Sequence, residues 1–132
     1  MVAYPNRSLY NLVIESRYQF SIMFFWKGGI YLDNKVLRKL FLGFIQIHIL
    51  HHANEEAIYG AWMLEELHEH GYEISAGTLY PILHNMEKDQ LLNRDDINVN
   101  GKIRKYYRTT NKGETVLNEA REKAYELFKE IK

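Results

Sequence analysis

The sequence predicts a mainly α-helical domain with one small β-hairpin, in the order helix, helix, helix, hairpin, helix. Three stretches carry that expectation. Ile74–Lys88 (ISAGTLYPILHNMEK) reads as a short helix with a polar and aromatic outer face. Asn100-Gly101, between the strand-like runs Leu91–Asn93 and Ile103–Arg108, is the dipeptide most favourable to a tight hairpin turn. Leu117, Ala120, Ala124, Leu127 and Ile131 repeat at spacings of three and four residues, a coiled-coil-like seam along a terminal helix. A short helix followed by a cationic hairpin is the order of parts in a winged helix-turn-helix, here with a C-terminal helix whose seam is expected to pack on something outside its own domain.

A chain of 132 residues suits one compact domain, able to bury roughly two-thirds of its unfolded surface without covalent staples. It contains no cysteine, which removes thiol catalysis and thiolate metal sites and fits a cytoplasmic location. The formal net charge is zero, but its distribution is uneven. Gly101–Lys112 carries five cations (Lys102, Arg104, Lys105, Arg108, Lys112) and no acid, whereas Glu55–Glu73 carries six acids and no lysine or arginine. Such separation lets a neutral protein present a cationic face to phosphate. The apolar run Phe20–Trp26 (FSIMFFW) falls far short of the ~20 residues needed to span a bilayer, so neither membrane insertion nor secretion is expected.

Three segments are expected. Residues 1–34 form an extension of unknown role, rich in aromatics (Tyr4, Tyr10, Tyr18, Phe20, Phe24, Phe25, Trp26, Tyr31) and broken by Gly28-Gly29. It reads equally as an extra helix, a partly ordered arm, or sequence upstream of a natural start at Met23. Residues 35–110 form the winged helix-turn-helix, and residues 111–132 the dimerisation helix.

Within the domain the first helix runs from Asn34 to about His52. Its apolar stripe is Leu37, Leu40, Phe41, Phe44, His48 and His51, with Leu42, Ile45 and Ile49 off that stripe. So wide an apolar surface implies burial on two sides, the second most simply covered by another subunit. Glu55-Glu56 suits the start of the next helix, which runs to His70 with Tyr59, Met63 and Leu67 four apart and Gly71 as its stop. Ser75 is a good N-cap for the third helix, which points Leu79, Ile82, Leu83 and Met86 inward. Pro81 either costs one backbone hydrogen bond near the helix start or, with Thr78 as the true cap, falls in the first turn where it is tolerated. Strand alternation places Ile103, Lys105 and Tyr107 on one face of the hairpin and Arg104, Tyr106 and Arg108 on the other. Thr110 caps the last helix.

Specific residues then meet a known pattern. Tyr59-Gly60, the run Ser75–Leu83 (SAGTLYPIL), Met86-Glu87-Lys88, Leu91-Leu92 and Arg104–Thr110 (RKYYRTT) with Lys112-Gly113 closely resemble the PadR family of transcriptional regulators, in its short form. The resemblance covers about Lys35 to Lys132. It implies a dimeric winged-helix repressor in which the C-terminal and first helices build the dimer, with an aromatic small molecule as possible effector at that interface. Two positions depart from the family pattern: Gly60-Ala61 stands where glycine-tyrosine is usual, and Ala76 where proline is frequent. Neither threatens the fold.

In such a fold the third helix enters the major groove of double-stranded DNA. Ser75, Thr78, Tyr80, Pro81, His84, Asn85 and Lys88 are its candidate contacts, alongside Ala76. Asn85 has the chemistry to pair with adenine, and the Thr78 and Tyr80 hydroxyls can hold phosphates. The plainer alternative is a solvated helix face. Lys102, Arg104 and Lys105 near the hairpin tip are the candidate phosphate contacts, each adding a salt-dependent increment; they would equally protect an edge strand from aggregation. Tyr107, which alternates with Ile103, is assigned to the core. Phe41, Phe44 and Trp62 are candidates for an effector pocket, though aromatics at helical spacing are more often core.

His48 and His52 have the i, i+4 spacing of paired metal ligands, and His51, His68, His70 and His84 could supply more. Histidines along an amphipathic helix more often mark its boundary, so no metal and no cofactor is expected. No phosphate loop, nucleophile elbow or isolated acid pair points to catalysis, and an enzyme is not expected. The expected function is that of a sequence-specific, dimeric DNA-binding repressor reading a palindrome and released by an effector. The competing expectation is a winged helix used only for protein contacts.

Overall fold

The computed structural model describes residues 34–132, and Phe41–Lys132 form a compact unit. The expected extension lies outside the described residues, Asn34 excepted. Four helices and three strands follow in the order α1 (Lys35–Glu55), β1 (Ile58–Tyr59), α2 (Gly60–Glu69), α3 (Ala76–Lys88), β2 (Leu92–Val99), β3 (Lys102–Thr109) and α4 (Asn111–Ile131). This is the mostly helical winged helix-turn-helix with a small antiparallel sheet.

Asn34 caps α1, its Oδ1 accepting from the Val36 and Leu37 amides at 3.1 and 3.2 Å. The helix runs on to Glu55, through Ala53 and Asn54, where the sequence suggests its end. Its fully buried positions are Ile45, Ile49, Leu50, His52 and Ala53, while Phe41, Phe44, His48 and His51 are half-buried. The face turned to the core is therefore the narrower set around Ile45 and Ile49, and the longer aromatic and histidine stripe lies at its flank.

Glu55 and Glu56 do not start α2. Ile58 and Tyr59 instead form a short strand paired antiparallel with Tyr107 and Tyr106 of β3. Tyr59 is thus the N-cap of α2 rather than a member of its apolar row, and its side chain caps nothing. Two residues are too few to show a period, but a β-branched residue followed by an aromatic one suits a strand. Gly71 stops α2 at φ 90°, with the Gly71 amide on the His68 carbonyl and the Tyr72 amide on the Leu67 carbonyl. These are the two bonds of a Schellman turn. The same turn closes α3, where Gln90 takes the left-handed position (φ 62°) that glycine fills at Gly71.

Ser75, not Thr78, caps α3: its hydroxyl accepts from the Thr78 amide at 3.3 Å. Pro81 accordingly lies inside the helix, with its ring exposed. Both hairpin strands are longer than expected, eight residues each, paired from Leu92–Thr109 out to Val99–Lys102. Asn100 and Gly101, both at positive φ (53° and 83°), make the connecting turn, and Asn98 Oδ1 accepts from the Gly101 amide at 2.9 Å. Every residue of β2 from Asn93 to Asn98 is exposed, so the charged run Arg94-Asp95-Asp96 carries no alternation for a sequence reading to find.

The core gathers Ile45, Ile49 and Leu50 from α1, Met63 and Leu67 from α2, Leu79, Leu83 and Met86 from α3, Leu92 and Tyr107 from the sheet, and Leu117 from α4. Burial raises the Tyr107 phenol above its ordinary pKa. A polar junction locks the elements together behind this core. The Thr110 hydroxyl donates to the Gln90 carbonyl at 2.6 Å and accepts from the Gly113 amide at 3.0 Å. The Thr109 hydroxyl donates to the Leu50 carbonyl at 2.8 Å, and the Lys112 ammonium to the Asp89 carbonyl at 3.0 Å.

Candidate nucleic-acid interface

Leu79, Leu83 and Met86 bury one side of α3, which turns the opposite side outward. Thr78, Tyr80, Pro81, His84, Asn85 and Lys88 are all exposed there, together with the cap Ser75; Ala76 is half-buried and Ile82 lies at the boundary. Among these, Tyr80 is held. Its ring lies against Gly60 at the start of α2, so closely that a Cβ at position 60 would overlap it. The Ser75 and Thr78 hydroxyls are 3.3 Å apart and form one polar group at the helix start.

On the hairpin, Lys102, Arg104 and Lys105 are exposed. Arg104 is the most fixed of the three. Its guanidinium stacks on the Tyr59 ring, 4.1 Å from the centroid, and Tyr59 in turn meets Tyr106 edge-on at 5.5 Å. The Tyr106 hydroxyl, by hydrogen bonding, raises the Arg104 pKa further above its already high value. Lys105 lies on the opposite face, directly across from Asp96. Asp96 is engaged by Arg94 at 3.2 Å, which also reaches Glu87 of α3 at 3.4 Å. The strand facing the cations thus carries its own acids, Asp95 and Asp96, which a count along Gly101–Lys112 does not register.

Leu117 is buried in its own domain (2% exposed) and Ala120 is half-buried. Beyond them α4 buries nothing, and Ala124, Leu127 and Ile131 are exposed, the last two by 55% and 69%. Phe128, 60% exposed, falls on the same stripe, one position after Leu127. Sequence reading by a strict seam omits it, although the i, i+4 relation to Ala124 was visible. Phe41, Phe44 and Trp62 are half-buried; Phe41 meets Tyr72 edge-on at 6.1 Å and Trp62 meets His52 at 5.4 Å. None of the three lines the open cleft of about 530 Å³ between the end of α3 and the hairpin base, which is bordered by Glu87, Gln90, Arg94 and Arg108.

The histidines divide. His68 Nε2 hydrogen bonds to the Ile74 carbonyl oxygen at 2.9 Å, and His84 stands on the outer face of α3. His48, His52 and His70 come together, with a ligand nitrogen of each within 4.8 Å of the others. His51 lies beside them, 3.8 Å from Glu55. Burial, and after it the charge of the neighbouring histidines, lowers the pKa of His48 and of His52 to about 4.

Comparison with known proteins agrees with this architecture. Residues 49–119 match the model of the transcriptional regulator PadR-like family. The transcriptional regulator Rv3488 of Mycobacterium tuberculosis is 45% identical over 87 residues, 66% of this chain and 81% of that protein. Among solved structures, a PadR family transcriptional regulator from Eggerthella lenta superposes with a TM-score of 0.65 at 32% identity, over 76% of this chain and 88% of that one. A PadR-like transcriptional regulator from Bacillus cereus gives 0.64 at 28% identity, over 70% and 92%. No helix among the described residues is long and apolar enough to cross a membrane. By its matched sequence and by its winged helix, the chain belongs to the PadR-like family of transcriptional regulators.

Proposed function

We propose that this protein is a homodimeric, sequence-specific DNA-binding repressor that inserts α3 into the major groove and rests its hairpin on the flanking phosphates. The observation that carries the reading is the outer face of α3. It is polar, exposed from Ser75 to Lys88, and followed in the chain by a hairpin with Lys102, Arg104 and Lys105 in water. Thr78 and Asn85 have the chemistry to read base edges, Tyr80 and the hairpin cations to hold phosphate. In the second subunit the same parts would face a groove about one helical turn away, so the operator is a palindrome.

The dimer is assigned to the stripe Ala124, Leu127, Phe128 and Ile131, which nothing in its own unit covers, set against α1 of the other subunit. Phe41, Phe44 and Trp62 are the residues assigned to an aromatic effector. An effector need favour a different spacing of the two reading helices by only a few kcal/mol to release DNA.

Replacing Lys105 by alanine tests the phosphate role. Binding to all DNA sequences should weaken alike, and the slope of log affinity against log salt should flatten by about one. Selective loss of one operator at unchanged slope would contradict it. A second reading, a winged helix that binds only protein, draws on Ile97 and Ile103, both exposed on the hairpin. It predicts no salt-dependent DNA binding at all.

A further inference from the structure

The cluster where α1 and α2 meet includes none of the residues proposed to contact DNA, and it gathers three histidines and a carboxylate. His48 and His52 project one turn apart from α1 with their rings nearly parallel (12°, centroids 6.4 Å apart). His70, the C-cap residue of α2, brings its ring to 4.7 Å from that of His48. The Glu66 carboxylate lies 3.5 Å from His52 Nε2 and 3.3 Å from His70 Nε2. Tyr72 closes one side, edge-on to His48 at 5.5 Å, and Trp62 another, edge-on to His52. His52 is buried, while His48 and His70 are half-buried and leave the cluster open to an entering ion.

We propose that His48, His52 and His70, with the Glu66 carboxylate beside the last two, form a binding site for a divalent transition cation of the zinc class. Three imidazoles, with the fourth position left to water, are a donor set suited to such ions, and the chain has no thiolate to draw softer ones. Ligand nitrogens around tetrahedral zinc stand about 3.3 Å apart at bond lengths near 2.0–2.1 Å. The three nitrogens here lie within 4.8 Å of one another, so at most ~1.5 Å of closure is required, within reach of small rotations of two-torsion side chains. Glu66 supplies the negative charge. The site stands on this donor geometry alone. Its consequence rests on the DNA reading above: His70 ends α2, and Gly71–Ser75 leads directly into α3, so an ion shared with α1 fixes the turn that aims the reading helix.

The test uses the full chain, stripped with chelator, and no DNA, so its failure is separate from failure of the DNA reading. Co²⁺ titration should give visible d–d absorption saturating at one ion per chain, which Zn²⁺ then abolishes by displacement. His48→Gln and His70→Ala should each weaken Zn²⁺ binding by more than about tenfold, and Glu66→Gln by about 10- to 100-fold, each variant keeping the wild-type circular dichroism. Zn²⁺ should also raise the Tm of the wild-type protein and not that of His70→Ala. His84→Ala, remote in sequence and on the face of α3, should keep the Co²⁺ spectrum. Absence of saturable Co²⁺ absorption in the wild type would overturn the site. So would Zn²⁺ affinity unchanged in both histidine variants.

Discussion

The ring of Tyr80 rests on Gly60, so the reading helix and the start of the helix before it share one contact that only a residue without a side chain permits. Tyr80 keeps half of its surface exposed (51%), with the ring held and the remainder in water. Gly60→Ala is expected to push the ring aside, at a cost of about 1 kcal/mol in stability. DNA affinity should fall about fivefold, the equivalent of losing one ~1 kcal/mol phosphate hydrogen bond. Tyr80→Phe should reproduce the affinity loss without the stability loss. Urea denaturation and DNA titration of the two variants check this; Tyr80→Phe binding like the wild type would remove Tyr80 from the phosphate contacts.

A second close approach lies at the start of α4. A Cβ at Gly113 would meet the Leu91 carbonyl oxygen, which is backbone and has little freedom to move, and also the Thr109 methyl group and Leu50. Gly113→Ala should therefore destabilise by about 2 kcal/mol despite its better helix propensity, lowering Tm by roughly 10 °C. A thermal melt showing no loss would mean that the Thr110 junction yields easily.

The apolar stripe on α4 predicts a charge-sensitive dimer. Leu127→Asp or Phe128→Asp should give monomers in sedimentation at micromolar concentration while leaving domain stability within about 0.5 kcal/mol, because both residues are exposed in the single chain. Leu117→Asp should instead unfold the domain, since Leu117 is core. A Leu127→Asp protein that remains a dimer would exclude the stripe.

Acid should weaken the metal-free protein. His48 and His52 are faced by His51 and Glu55 from α1 and by Trp62, Glu66, His70 and Tyr72 from α2 and the turn after it. Both rings have a folded pKa near 4 against 6.5 unfolded. Between those values the unfolded chain binds more protons, so stability rises with pH. It is complete above about pH 6.5 and should fall progressively as pH drops toward 4. Urea midpoints in chelator across that window check the sign. Replacing both histidines by glutamine should flatten the profile.

Much of this architecture is legible in the residues, wherever one residue type satisfies one local demand. Gly71 and Asn100-Gly101 sit at positive φ as their side chains allow, Ser75 and Thr110 cap helices, and Leu79, Leu83 and Met86 select the outer face of α3. What stays hidden depends on partners distant in sequence. Ile58-Tyr59 becomes a strand only because Tyr106-Tyr107 pairs with it. Of two apolar stripes on α1, packing alone chooses the one around Ile45. Asp95 and Asp96 matter to the cations of the hairpin only through strand register, and His70 joins His48 only once α2 has folded back beside α1.

The central claim is tested most directly by fluorescence anisotropy with DNA from immediately upstream of the protein's own gene, at low and at physiological salt, against an unrelated duplex as competitor. The account predicts binding that survives both physiological salt and competitor, as a palindrome-reading dimer requires. Equal, weak binding to both duplexes that vanishes as salt is raised would contradict it, and would leave the winged helix as a module for protein contacts.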